Sequence, residues 1–205
     1  MKIFVTGTDT NVGKTVFAAA LAGALGASYW KPVQAGDLDL TDSCRVRSLS
    51  GLPARKILAE AYRLSTACSP HQAAKLDGIE IGCEEMNLPD FDPLVVEGAG
   101  GLLVPLTSDR LFADLLARWQ LPAVLVARTG LGTINHSLLS IHALRSWGIP
   151  ILGIAFVGDE ASDSEEIICA YSGVRRLGRL PLIEPLETAA LRRAFAANFR
   201  IDDFR

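Results

Sequence analysis

No apolar run in this chain is long enough to cross a bilayer. The longest, at 123–127 and 149–157, are short and broken by proline or glycine, which argues against a membrane-spanning helix. The opening Met-Lys-Ile-Phe-Val-Thr-Gly holds too short an apolar stretch for a secretory signal, so a cytoplasmic location is expected. Cysteine is sparse: Cys44, Cys68, Cys83 and Cys169 form no C-x-x-C and have no histidine pair nearby. That pattern predicts reduced thiols rather than a zinc site or disulfides. Basic runs are also missing, and the formal net charge is -3. A nucleic-acid face is therefore not expected, although a local basic pocket for a small anion is. With no repeat, low-complexity tract or evident linker, residues 1–205 are expected to form one domain.

What is present is a succession of short apolar runs, each followed by a loop and then a helical pattern. Residues 3–5, Ser28–Trp30, 94–96, 123–127 and 151–156 read as strands, and a last short strand is expected just before Pro181. Helices are expected over Lys14–Leu25, which is rich in Ala and Leu, and over residues 134–147. Apolar runs without alternation suit strands buried on both faces, and the βαβ order predicts a doubly wound, mostly parallel α/β fold. In such sheets the chemistry sits at the carboxyl ends of the strands, where the glycine-rich and charged clusters of this sequence fall. Residues 41–87 read as helical and irregular, without a clear order.

The strongest motif is Gly7-Thr8-Asp9-Thr10-Asn11-Val12-Gly13-Lys14-Thr15, between the first strand and the first helix. Glycines let such a loop aim successive backbone N–H groups at phosphate oxygens, and the helix N-terminus adds partial positive charge. Lys14 is expected to bridge the β- and γ-phosphates and the Thr15 hydroxyl to coordinate magnesium, as in a P-loop NTPase. The spacing departs from the common expression, because five residues rather than four separate Gly7 from Gly13. By itself the motif indicates a nucleoside triphosphate and not the fate of its phosphate.

A magnesium–triphosphate site needs carboxylates, since the hard cation prefers oxygen ligands. Glu97 ends a buried apolar run and precedes Gly98-Ala99-Gly100-Gly101. A ligand role beside the phosphate loop is favoured over a strand-terminal glutamate facing water, and the glycines would let backbone approach a ligand. Asp37, Asp39 and Asp42 share one loop, and residue type alone does not choose among them. Lys31 ends the second strand and is followed by Pro32, which holds it extended. A lysine aimed from that strand end is suited to neutralising a transferred phosphoryl group or its acceptor.

Together these motifs resemble the dethiobiotin synthetase family of ATP-dependent ligases. The matching stretches are 7–15, Tyr-Trp-Lys-Pro-Val-Gln-Ala-Gly at 29–36, Thr-Asp-Ser at 41–43 and Ser-Pro-His at 69–71. Val-Val-Glu-Gly-Ala-Gly-Gly at 95–101 and Gly-Leu-Gly-Thr-Ile-Asn-His at 130–136 complete the set. They keep the family's order over nearly the whole chain, and the widened phosphate loop is itself a family feature.

The resemblance implies that 7,8-diaminononanoate, carbon dioxide and ATP give dethiobiotin, ADP and phosphate, through a carbamate and a carbamic–phosphoric anhydride. It implies Lys31 and Lys14 as catalytic lysines, with Thr15, Asp42 and Glu97 holding Mg2+. Asn11, Val12, Gly13, Lys14, Thr15 and Val16 would wrap the phosphates, with Gly98, Ala99 and Gly100 alongside. Thr10, Lys31 and Ala35 would lie near the diamine. Its carboxylate tail would reach Gly132, Thr133 and Asn135 across the interface of a homodimer, a sensible place for an anion at a helix start. Ser69-Pro70-His71 is expected to form a turn beside the substrate.

Two positions depart from the family pattern. Ala35 stands where a hydroxyl is frequent. Val157, followed by Gly158, stands where an asparagine commonly reads adenine, and valine cannot make an amide's paired hydrogen bonds. Base recognition is expected to be relaxed, or made by backbone near Pro181, Leu182 and Ile183, so a nucleotide other than ATP is admissible. A different class, the MinD and ParA type of regulatory ATPase, would carry an additional lysine early in the loop, where this chain has Thr8, Asp9 and Thr10. A small-molecule kinase would bring a lid with arginines, a part Arg175, Arg176 and Arg179 could take. A cobyrinate diamide synthase would need a glutaminase domain, for which there is no room.

Overall fold

The computed structural model describes residues 1–205. Along the chain β1 (Lys2–Gly7) leads into α1 (Lys14–Leu25), β2 (Ser28–Trp30), β3 (Val33–Ala35), α2 (Asp42–Leu49), β4 (Tyr62–Leu64) and α3 (Pro70–Asp77). There follow β5 (Leu94–Gly101), α4 (Phe112–Trp119), β6 (Ala123–Arg128), α5 (Thr133–Ser146), β7 (Ile151–Val157), α6 (Ser162–Ser172), β8 (Arg176–Leu180) and α7 (Thr188–Asn198). Six strands make one sheet in the order β2-β5-β1-β6-β7-β8, and every pairing in it is parallel. The fold is thus an α/β sheet of the P-loop NTPase type.

Each strand sends alternate side chains to opposite faces, and both faces are covered. On one face Ile3, Val5, Tyr29, Val95, Val124, Val126 and Ala155 pack with α1 and α7. On the other, Phe4, Trp30, Leu94, Val96, Leu125, Ile154 and Phe156 pack with residues of α3, α4, α5 and α6. Double coverage explains why these strands read as continuous apolar runs in the sequence.

Helix α1 forms because Ala and Leu dominate it, and its small residues let neighbours come close. A Cβ on Gly23 would lie 2.5 Å from the Ser50 carbonyl oxygen at the end of α2, so only glycine allows that approach. Phe17, fully buried, is surrounded by Phe195, Phe199 and Phe204 at ring-centroid distances of 6.1, 5.5 and 6.3 Å. The C-terminal segment therefore clamps the helix that carries the phosphate loop.

Several elements differ from expectation. The helix expected over 134–147 begins and ends one residue earlier. β4, inside the segment read as irregular, pairs in parallel with β3, which lies just ahead of it, as a separate small sheet. At three residues each, with Gln34 and Arg63 at their centres, these strands carry too little apolar pattern to be read. Ser69-Pro70-His71 is not a free turn: Pro70 takes the first position of α3, where its missing N–H costs nothing. Arg192 and Arg193 belong to α7, whose Leu191 and Phe195 face the core while the arginines face outward. No helix is long and apolar enough to cross a membrane.

Replacing Phe17 with alanine would remove the ring that three phenylalanines pack around, at a cost of about 3–5 kcal/mol. Urea unfolding of Phe17→Ala should show a loss of that size, and a loss below about 1 kcal/mol would mean α7 does not clamp α1.

Candidate functional site

Strand alternation builds the site. Tyr29 pairs with Val95 in register and Val5 with Glu97, so the β5 side chain two residues past Val95 stays on the α1 face. Lys31, two residues past Tyr29, leaves the end of β2 toward the same side. The phosphate loop between β1 and α1 lies over this corner, and Asp42 arrives as the first residue of α2. Thr41 caps that helix by accepting a hydrogen bond from the Cys44 N–H at 3.2 Å. Gln34 fixes the same helix start: its Oε1 accepts from the Asp42 N–H at 3.3 Å and its Nε2 donates to the Gly36 carbonyl at 2.9 Å.

The result is a cleft of about 670 Å³ in which two lysines, two carboxylates and one hydroxyl converge. Thr15 Oγ1 lies 2.7 Å from Glu97 Oε1 and 3.0 Å from Asp42 Oδ1, one proton facing two carboxylate oxygens. Lys31 Nζ is ion-paired with Asp42 and lies 3.5 Å from Glu97 Oε1. Glu97 has no solvent exposure, and its second oxygen accepts from the Tyr29 hydroxyl at 2.8 Å. Lys14 Nζ donates to the Asp9 carbonyl at 2.6 Å.

The phosphate loop adopts the special backbone its sequence suggests. Gly13 has φ 93° and Asn11 φ 58°, the left-handed region that glycine and asparagine tolerate best. A Cβ on Gly13 would meet Val157 Cγ1 at 2.8 Å, so the valine packs directly against the loop backbone.

Burial and pairing set the charges. Burial lowers the Lys14 ammonium to about 8, and Glu97 only partly opposes it. Burial also acts to lower Lys31, but Glu97 and Asp42 outweigh it and leave the ammonium above its ordinary range. For Asp42, burial acts upward and the Lys31 charge overcomes it, so the carboxyl ends below its usual value. Tyr29 is driven well above the usual phenol range by burial and by the adjacent Glu97 charge, so its hydroxyl remains a donor.

Along the cleft Asp37, Asp42 and Glu97 are balanced by Lys14, Lys31 and Arg45, leaving no surplus of side-chain charge to offset a triphosphate. The converging oxygens of Thr15, Asp42 and Glu97 suit a hard divalent cation that completes its shell with phosphate and water. Two acids are too few to hold such an ion by protein ligands alone, consistent with the absence of any cluster of three acidic, His or Cys side chains.

Of the residues singled out in the sequence, Thr10, Asn11, Gly13, Lys14, Thr15, Val16, Lys31, Ala35, Asp42, Glu97, Ala99 and Gly100 line this cleft. Val12 is buried beneath the loop, and Gly98 sits where a Cβ would strike the Phe4 ring at 2.8 Å. The Val157 carbonyl accepts from the Thr129 N–H and the Gly158 N–H donates to Leu180, so these backbone groups are engaged within the fold. Val157 and Ile183 pack at the edge of the α1-face core, while Leu182 is exposed. Gly132, Thr133 and Asn135 begin α5 and do not line the cleft. Thr133 Oγ1 is buried there without a partner.

The sequence reading missed Tyr29, Gln34, Arg45, Ala67, Cys68 and Val104. All but Tyr29 line the cleft, as does Asp37, named in that reading as an alternative to Asp42. Tyr29 was detectable, because a residue two before Lys31 on one strand shares its face. His71 lines a separate surface hollow. A further hollow of about 540 Å³ between α1, α2 and α7 is lined by Arg192 and Arg205 and by no Asp or Glu side chain.

Burial lowers the Lys14 ammonium to about 8, so part of it is uncharged in mildly alkaline solution, and a bound triphosphate would restore the proton. With magnesium chelated, ATP binding should take up a fraction of a proton at pH 8 and a larger fraction at pH 9. Calorimetry in buffers of different ionisation enthalpy measures this, and uptake near zero at both values would contradict the Lys14 assignment.

A family described as an AAA domain matches residues 1–190. The ATP-dependent dethiobiotin synthetase BioD of Novosphingobium aromaticivorans is 61% identical over 200 residues, covering 98% of this chain and 97% of that protein. The protein of the same name from Afipia carboxidovorans is 58% identical over 205 residues, covering 99% and 98%. Among solved structures, the MinC:MinD complex of Aquifex aeolicus aligns with TM-score 0.54 at 18% identity, over 94% of this chain and 85% of that one. A ParA family ATPase of Chlorobium tepidum aligns with TM-score 0.50 at 16% identity, over 95% and 90%. At such identities the two structures speak for the fold alone, whereas the near-full-length relatives decide the family. The chain belongs to the ATP-dependent dethiobiotin synthetase family.

Proposed function

We propose that residues 1–205 form one P-loop ligase domain that carboxylates 7,8-diaminononanoate and closes it to dethiobiotin at the expense of ATP. The observation that carries this reading is the Lys31–Asp42–Glu97–Thr15 cluster at the end of the phosphate loop. Its relatives' shared name supplies the substrate class.

In this reading one amine of the diamine adds to carbon dioxide, losing a proton and giving a carbamate. A carbamate oxygen attacks the γ-phosphorus, the bond to the β–γ bridging oxygen breaks, and ADP leaves. The second amine then attacks the carbamoyl carbon of the mixed anhydride, forming the second C–N bond. Phosphate and a proton depart. Carbamate and γ-phosphate repel each other, so the step depends on positioned cations and N–H donors.

Lys31, almost fully buried and held by two carboxylates, is suited to contact both anions, and Lys14 and the N–H groups of residues 11–16 to hold the phosphates. Thr15, Asp42 and Glu97 would hold Mg2+, which when bound offsets negative charge on the phosphates. Ala99 and Gly100 would border the nucleotide, and Thr10 and Ala35 the diamine. Val157, packed against the loop at Gly13, is apolar, which favours reading the phosphates over reading the base.

The carboxylate tail would reach Gly132, Thr133 and Asn135 of a second subunit in a cytoplasmic homodimer. Support for that comes from the helix N-terminus, the unpartnered Thr133 hydroxyl and the exposed Leu131, Ile134 and Leu139 around it.

Incubation with ATP, magnesium, bicarbonate and 7,8-diaminononanoate should release phosphate and ring product in equal amounts. Phosphate release independent of the diamine would instead favour a regulatory ATPase. Lys31→Ala should lower kcat by roughly 10²–10³-fold while nucleotide binding stays measurable. Wild-type turnover in that variant would remove Lys31 from the mechanism. CTP and GTP should support turnover at rates comparable with ATP, and strict dependence on ATP would show that the base is read despite Val157.

A further inference from the structure

Glu97 presents its two oxygens to different surroundings. Oε1 meets Thr15 and Lys31 at the cleft, while Oε2 points away, into the apolar packing beneath α1. There the Tyr29 hydroxyl meets it at 2.8 Å, and both residues are wholly buried. Tyr29 does not line the cleft. It is fixed in the sheet by its register with Val95 and by its carbonyl, which accepts from the Leu58 N–H at 2.9 Å.

A buried phenol needs a hydrogen-bond partner, and phenylalanine would fill the same apolar space without one. Glu97 is the only partner the Tyr29 hydroxyl has. The final torsion of a glutamate side chain is broad and has no sharp well of its own, so packing alone would not fix the carboxylate plane. Thr15 and Lys31 hold only Oε1, so without the phenol Oε2 would lose its partner and the carboxylate could turn to offer both oxygens to Lys31.

We infer that Tyr29 is a positioning residue for Glu97: its hydroxyl pins Oε2 and presents Oε1 alone to the divalent cation. The inference rests on the proposed role of Glu97 as a metal ligand. Tyr29 touches neither nucleotide nor diamine and acts only through that carboxylate.

The test compares nucleotide affinity in excess Mg2+ with affinity in EDTA, by titration calorimetry with ADP, for wild type, Tyr29→Phe, Glu97→Gln and Leu21→Ala. Leu21 is a fully buried residue of the same apolar face and serves as the control for loosened packing. In Tyr29→Phe the enhancement by Mg2+ should fall about tenfold, as for loss of a group that orients a metal ligand, with the affinity in EDTA unchanged. Leu21→Ala should lower the melting temperature and keep the wild-type enhancement. Wild-type enhancement in Tyr29→Phe, with Glu97→Gln impaired, would overturn the role of Tyr29 alone. An equal fall in Leu21→Ala would also overturn it, by assigning the effect to packing. Full enhancement in Glu97→Gln would remove Glu97 as a metal ligand, and the inference with it, while leaving the ligase activity to be judged by product formation.

Discussion

Glu97 is a carboxylate with no solvent exposure at the carboxyl end of a central strand. An isolated charge in such a place costs several kcal/mol even after relaxation, so the surrounding structure must answer it. Lys31 brings the opposite charge, Thr15 and Tyr29 bring hydroxyl groups, and each of these has its own requirement. Lys31 is itself buried and is held by a second acid, Asp42. Asp42 is placed by the Thr41 cap and by Gln34 on the short strand β3. The chain of dependence runs from the middle of the sheet to the segment between Gln34 and Leu49, which Val46 anchors in the α1-face core. Removing one charge would strand another.

The fold supplies the cluster at little cost in special geometry. Parallel strands end together on one side, alternation puts Tyr29, Lys31, Val95 and Glu97 on one face, and the β1–α1 loop closes over them. The demanding backbone lies in the loop, at Asn11 and Gly13, and around the cleft at Gly36, Asp37 and Gly100, all at positive φ. Val157 packs against Gly13 and so supports the loop from the β7 side. A valine used in this way holds the phosphate cradle in shape while giving a base nothing to hydrogen-bond.

The sheet was legible because its strands are buried on both faces, which leaves continuous apolar runs between glycine-rich turns. The phosphate loop was legible because its backbone requirement is written in glycine and asparagine. Asp42 could not be separated from Asp37 and Asp39 on residue type, although the Thr41–Asp42 step opens a helix and is the kind of start signal that distinguishes them. Strands β3 and β4 were invisible because three residues with a polar centre carry no periodic pattern. Gln34 acts through two hydrogen bonds and Tyr29 through one; the face that Tyr29 shares with Lys31 was readable, but no local sequence pattern encodes its contact with Glu97 on the neighbouring strand. The arrangement at Gly132, Thr133 and Asn135 lies away from the cleft of its own chain, so only a second subunit would give it a substrate to bind.

The most direct test of this account is a crystal structure with Mg2+ and a non-hydrolysable ATP analogue. The account predicts a metal at about 2.1 Å from Thr15 Oγ1, held by Asp42 and by Glu97 Oε1 directly or through one water, with Glu97 Oε2 still on the Tyr29 hydroxyl. A metal bound without Glu97, or a Glu97 carboxylate turned away from Tyr29 and onto Lys31, would contradict it.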